Sequence, residues 1–288
     1  MYKVFAFLKR NPKLTHDEYR AGHAGFHCAQ SRRLKNIRGY LVNIWANEPL
    51  ESKLGSAASG LSINAPPDFL EWWDGFPQVY FDDRASWVNA RSLEPNRATA
   101  DGLVVDPDWR LDDSPHLFAP TPDDPNGFQS FHLHMFEQVV VPVVRPEHKI
   151  AKIMHFVKRH PGVDHDTWSA RLESDYLPAL SKLRRLLGCT LNLRDPDQEA
   201  AMRGFFDEDD WGFSAEGTAQ RRRFCELWDG AIELFFDTVE AYGEARAKQR
   251  TWLEEPESSL FERSWFVEVD ENLIVMPNRD PAPPFYYR

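Results

Sequence analysis

The chain has 288 residues, 42% of them hydrophobic, which is enough for a packed core, and a net charge of −11 with a pI near 5.4. That charge argues against nucleic acid or an acidic membrane surface as a partner. No apolar run reaches the length of a membrane span or signal peptide, and three cysteines without a Cys-x-x-Cys pair (Cys28, Cys189, Cys225) fit a reducing, cytoplasmic setting.

Residues 2–9 alternate as a strand, with Val4, Ala6 and Leu8 on one face and Phe5 and Phe7 on the other. After Asn11-Pro12, the capping-box pattern Thr15-His16-Asp17-Glu18 predicts a helix to about Leu34. Residues 37–46 read as a second strand. Tyr40, Val42 and Ile44 share one face of it; Asn43 and Trp45 share the other, which is expected to look into a cavity because Asn packs poorly against helices. Residues 47–70 and 95–127 are long connections and candidate lids. Between them lie a strand opened by Trp73-Asp74-Gly75, carrying Gln78 and Tyr80 on one face, and a helix from about Arg84. Residues 131–141 form a strand with His132 and His134 on one face and Phe131, Leu133 and Met135 on the other. The apolar face is expected to pack on helices and the His face to look into the cavity or towards a subunit boundary.

This order then recurs. Phe7-Leu8-Lys9-Arg10-Asn11-Pro12 matches Phe156-Val157-Lys158-Arg159-His160-Pro161, His16-Asp17 matches His165-Asp166, and Asn43 falls on Asn192, all at one offset. Trp73-Asp74-Gly75 recurs as Trp228-Asp229-Gly230. Asp74 and Asp229 are read as fixing the turn before a strand. The pattern predicts an α+β chain of two tandem ferredoxin-like βαββαβ units, 1–145 and 146–276, followed by a Pro-rich tail, 277–288. Two sheets with one bare face each are expected to curve against one another as an intrachain dimeric α+β barrel around a cavity.

These motifs resemble the EthD-domain family of the dimeric α+β barrel superfamily. The resemblance rests on Phe7 to Pro12, the Tyr19 to His27 segment, Gly39-Tyr40 with Asn43, and the strand ending Tyr80-Phe81-Asp82. It implies a His at the cavity mouth eight residues after an aromatic, here His27 after Tyr19; the second half has Tyr176 instead, so one active cavity per chain is expected. His23 and His27 share a helix face. They could bind a metal, but no acidic or Cys ligand sits at a supporting spacing, so an acid/base role is preferred and no metal is assigned. Cys28 neighbours His27 but points elsewhere on the helix.

The expected site therefore has His27, His23, His132 and His134 as catalytic groups and Asn43, Trp45, Tyr80, Gln78 and Tyr176 as substrate-binding groups. No nucleotide-binding or nucleophile-elbow motif is present, and no cofactor is expected. The fold relatives that the resemblance implies act on aromatic or polyketide-like molecules. The first expectation is a cofactor-independent lyase or dehydratase on a hydroxylated aromatic or polyketide-like substrate, as a homodimer. The alternatives are a cofactor-free monooxygenase on a phenol, or a non-catalytic small-molecule-binding or accessory protein.

Overall fold

The computed structural model describes residues 1–32, 34–58, 61–67, 69–90, 117–120, 130–203 and 208–277. Most of the segment 95–127 and all of the Pro-rich tail except Pro277 lie outside these residues, and with them the reading of 95–127 as a second lid.

Eight strands form one closed antiparallel barrel. They are β1 (Tyr2–Leu8), β2 (Gly39–Trp45), β3 (Gly75–Phe81), β4 (Ser130–Val141), β5 (Ala151–Arg159), β6 (Leu186–Arg194), β7 (Gly230–Phe236) and β8 (Phe261–Val275), in the ring order β1-β3-β2-β8-β5-β7-β6-β4. This corrects the expectation of two ferredoxin-like units with sheets face to face. Strand β2 pairs with β8 (Asn43 opposite Glu271, Trp45 opposite Val269), and β4 pairs with β6 (Glu137 opposite Asn192). Four strands taken alone would leave two unpaired edges; joining the edges across both seams satisfies those backbone groups and abolishes the edges.

Closure sorts every strand into an inner and an outer face. Phe5 and Phe7 of β1 join an inner cluster, whereas Tyr2, Val4 and Leu8 join an outer one beneath the helices. At one end of the lumen Phe7 stacks on Phe76 with ring centroids 4.9 Å apart and meets Phe224 edge-on at 4.9 Å. Phe69, fully buried, seals that end against Trp265 at 5.1 Å. The connection 47–70 that supplies Phe69 holds the short helices Leu50–Leu54 and Phe69–Trp72, anchored by buried Leu50 and Leu61.

The predicted capping box is present: Thr15 Oγ1 accepts from the Glu18 amide at 3.2 Å, and the Glu18 carboxylate accepts from the Thr15 amide at 2.8 Å. The helix then changes character, running α over His16–Ala21, π over Gly22–His27 and α over Cys28–Ser31. The same change occurs at Leu172–Tyr176. Both Trp-Asp-Gly turns are tied by their carboxylates: Asp74 accepts from the Arg10 amide and Asp229 from the Arg159 amide, each at 3.0 Å.

The two glycines of these turns differ in room. A Cβ on Gly75 would collide with the backbone carbonyl of Asn43 and come within 2.8 Å of Ile44 Cα; on Gly230 the nearest atom would be Asn192 O at 2.9 Å. Backbone cannot yield as a side-chain tip can. Gly75→Ala is therefore expected to destabilise the barrel by about 1–3 kcal/mol, in the range of overpacking, and Gly230→Ala by less. Chemical denaturation of both variants checks this; equal losses would contradict it.

Candidate active site at the charged mouth of the barrel

The end of the lumen opposite the aromatic seal is charged. Lys3 and Lys152, both fully buried, point inward from β1 and β5 and hold Glu233 of β7 between them, at 2.5 Å and 2.7 Å. Lys3 also meets Glu137 at 2.6 Å, and Lys152 meets Glu271 at 3.0 Å and Gln78 Oε1 at 2.7 Å. Arg145, on the connection after β4, donates to Glu271 at 2.5 Å. Three cations thus face three carboxylates. Burial alone would raise the Glu233 carboxyl; Lys152 and Lys3 outweigh it and hold it well below the usual carboxylate range. Glu271 is lowered in the same way, with Lys152 and Arg145 overcoming its burial.

A buried ion cluster is an expensive way to fill a lumen, because well-packed apolar side chains of similar volume are often at least as stable. Its presence beside a cavity is therefore a functional signal. A cavity of about 180 Å³ opens on this cluster, bounded by Tyr80, Val143, Arg145, Thr190, Glu233, Phe235, Met276 and Pro277. Deeper in the lumen, Gln78 Nε2, Asn43 Oδ1 and Asn192 Oδ1 are buried with no hydrogen-bond partner. Such atoms ordinarily meet water or a ligand. A larger groove of about 530 Å³ lies elsewhere, along the β2–β8 seam. It is wide open to solvent, and charges along it pair with one another (Arg20 with Asp270, Lys53 with Glu268), as on an ordinary surface. The smaller cavity is the better candidate because it alone meets buried charge.

The structure divides the sequence-predicted residues by the barrel wall. Asn43, Trp45, Gln78 and Tyr80 face the lumen. Asn43 Nδ2 donates to Phe76 O at 3.2 Å, Trp45 donates to Trp73 O, and the Lys3 ammonium lies 4.5 Å from the Tyr80 ring centre. Tyr80 lines the cavity; Trp45 belongs to the aromatic end. The four histidines and Tyr176 lie outside the wall. His23 and His27 sit under the helical layer with centroids 5.2 Å apart and Phe118 against both. His23 Nδ1 bonds the Tyr19 hydroxyl at 3.0 Å, and His27 Nε2 the Ser31 hydroxyl at 3.2 Å.

The expected facing of β4 is reversed: Leu133 and Met135 enter the lumen, and His132 and His134 pack on Trp87 outside, at 5.8 Å and 5.5 Å. Burial, followed by the nearby Arg84 and Arg221, pushes the His134 imidazole down to about 3. His132 and His23 are lowered mainly by burial. Tyr176 donates to Glu257 at 2.6 Å beneath the helix Val239–Leu260 and touches no part of the lumen.

These placements correct the lyase reading. It asks histidines titrating near neutrality to meet a substrate in the cavity, and the His23, His132 and His134 rings are lowered, buried and on the wrong side of the sheet. Among the described residues, no three His, Cys, Asp or Glu side chains are gathered as metal ligands, and no helix is long and apolar enough to cross a membrane.

The groups missed from sequence are Lys3, Lys152, Glu137, Glu233, Glu271, Arg145, Thr190 and Asn192. A signal for them existed: the offset that aligns Phe7 with Phe156 also aligns Lys3 with Lys152, a charge at the same inward position of two apolar strands.

No protein-family model and no curated protein matches the chain. The EthD resemblance therefore rests on the quoted residues alone. Among solved structures, the chain is similar to a Fusobacterium nucleatum protein described as "Putative monooxygenase", with a TM-score of 0.51 and 8% identity over 98% of this chain and 97% of that one. A "putative monooxygenase" from Lactobacillus acidophilus gives 0.48 and 7%, over 95% of each chain. At such identity the first of these speaks for the fold.

Glu233 carries a testable consequence. Its carboxyl is depressed in the folded state, so the stability it contributes is full above the ordinary carboxylate pKa of about 4.3 and falls away as the pH drops below it. Glu233→Gln leaves two buried ammonium groups short of a partner and is expected to cost about 3–5 kcal/mol near neutrality. Melting curves between pH 7 and pH 3 should show the gap between wild type and variant narrowing on the acid side; a gap that widens would overturn the assignment.

Proposed function

We propose that the protein is a cofactor-free monooxygenase that oxidises a small phenol at the charged mouth of the barrel. The observation that carries this reading is the 180 Å³ cavity bounded by Tyr80, Phe235, Thr190, Arg145 and Glu233 and continuous with the Lys3–Glu233–Lys152 cluster. The monooxygenase description of the Fusobacterium protein points the same way.

The chemistry asks for an electron-rich substrate anion and access for dioxygen. Cationic groups beside the cavity favour the phenolate over the phenol, and the phenolate is the better electron donor. The aromatic interior offers apolar surroundings suited to dioxygen. Glu233, held far below neutrality, is a poor base, so the phenol proton passes to solvent through the open mouth. The reaction balances without a further reductant. One oxygen atom of O2 replaces a ring hydrogen and becomes a carbonyl, the phenol oxygen becomes the second carbonyl, and the other oxygen atom leaves as water. The substrate supplies all four electrons, and the product is a quinone.

Purified protein, dialysed against a chelator, is expected to consume one O2 per phenol oxidised to quinone and to be inactive under nitrogen. With labelled dioxygen, one label should appear in the quinone and one in water. Turnover under nitrogen, or ligand binding with no oxygen uptake across a panel of phenols and hydroquinones, would sink the oxygenase reading. In the same assay His27→Ala is expected to act through the melting temperature more than through turnover, because its ring lies behind the wall.

A further inference from the structure

The hydrogen-bond inventory of the mouth says what kind of molecule it accepts. The carboxylates there are already engaged. Glu233 Oε1 takes Lys3 and Asn192, and its Oε2 takes Lys152; Glu271 Oε1 takes Lys152, and its Oε2 takes Arg145. Among the described residues, donors are in surplus. A guanidinium has five N–H groups, and Arg145 commits Nη1 to Glu271 while its plane lies 5.4 Å from the Phe235 ring centre. Its side chain is 23% exposed, enough to be reached from the mouth. A ligand amine would meet three cations and no uncommitted carboxylate oxygen of Glu233 or Glu271. A ligand oxyanion would meet donors of Arg145 that no described residue takes.

Size adds a second limit. A cavity of about 150 Å³ suffices for benzene, so the 180 Å³ here holds one six-membered ring with a small substituent, and a second fused ring would project from the mouth into solvent. Tyr80 and Phe235, 1% and 2% exposed, supply aromatic walls for that ring.

We propose that the mouth of the barrel is a binding site for a single-ring aromatic oxyanion, a phenolate or an aryl carboxylate, with Arg145 as its anchoring cation and Tyr80 and Phe235 as the walls that hold its ring. This rests on the site assigned above and narrows the hydroxylated aromatic or polyketide-like range of the sequence reading to one ring. Arg145 selects for charge, and the cavity selects against a second ring.

The test uses probes that the proposed oxygen chemistry does not consume, so it is independent of turnover. Isothermal titration of the full-length protein with benzoate, benzylamine, benzyl alcohol and 2-naphthoate is made under nitrogen. Benzoate is expected to bind saturably, benzyl alcohol and 2-naphthoate at least tenfold more weakly, and benzylamine not at all. Arg145→Met is expected to weaken benzoate at least tenfold. The variant should fold, because Glu271 keeps Lys152 as a partner; if its melting temperature falls, Arg145→Lys, which keeps the charge and loses the two-pronged donor geometry, takes its place and is expected to bind at an intermediate level. Absence of benzoate binding, equal binding of benzylamine, tighter binding of 2-naphthoate, or benzoate affinity untouched in the Arg145 variants would each overturn the proposal. Arg145-dependent benzoate binding without oxygen uptake on any phenol would leave this inference standing and remove the oxygenase reading. Oxygen uptake without Arg145-dependent binding would do the reverse.

Discussion

The structure depends on the two seams at which the barrel closes, β2 against β8 and β4 against β6. Backbone hydrogen bonds must be completed somewhere, and a ring of eight strands completes them without an edge. The ring also creates an inside. Once an inside exists, alternation along each strand decides which side chains share it. Lys3, Phe5 and Phe7 enter from β1, and Lys152, Met154 and Phe156 enter from β5 at matching heights. The lumen is therefore layered, with aromatic rings sealing one end and charge at the other.

Among the described residues, that layering leaves the charged end as the way in. The aromatic end is closed by Phe69, Trp73, Phe224 and Trp265, in edge-on and stacked contacts worth roughly 0.5–1.5 kcal/mol each beyond burial. The charged end cannot be sealed so tightly. Its walls are long flexible side chains held by ion pairs, and desolvating them further would raise their cost. A molecule bearing a polar group can restore part of that lost solvation, and an apolar one cannot. Entry and selection thus fall at the same end for the same electrostatic reason.

How far the sequence discloses this follows from which signals are two-sided. Asn43 was legible because one face of β2 is wholly apolar and the other carries a single amide; only the lumen could accept it. The histidines of β4 misled because both faces of that strand are buried, Leu133 and Met135 by the opposite lumen wall and His132 and His134 by Trp87. Alternation identifies two faces, and when neither meets water it cannot say which is inside. His23 and His27 were correctly placed on one helix face, but a shared face towards the sheet is not a shared face towards the lumen. Lys3 drew no notice beside the apolar residues of its strand, and only its register with Lys152 marks it as inward. The closing of the ring was the least legible feature, since nothing in β2 or β8 taken alone names the other as its neighbour.

One inward position breaks the match between the halves, and the electrostatics of the site follow from it. The turns Trp73-Asp74-Gly75 and Trp228-Asp229-Gly230 align Gln78 with Glu233, and the pairings of Lys3 with Met135 and of Lys152 with Val269 align Glu137 with Glu271. Had both aligned positions been Glu, four carboxylates would face three cations, and one buried charge would lack a partner. Had both been Gln, three cations would face two carboxylates, and the buried cluster would carry a net positive charge. With Gln78 and Glu233, three cations meet three carboxylates, Lys152 bridges the two sides, and the amide can accept from Lys152 without adding charge. The neutrality is achieved by carboxylates that are already saturated, so the charge balance and the surplus of donors at Arg145 are one fact. A cluster balanced in this way can sit in a protein interior and still present, at its rim, a cation with donors to spare.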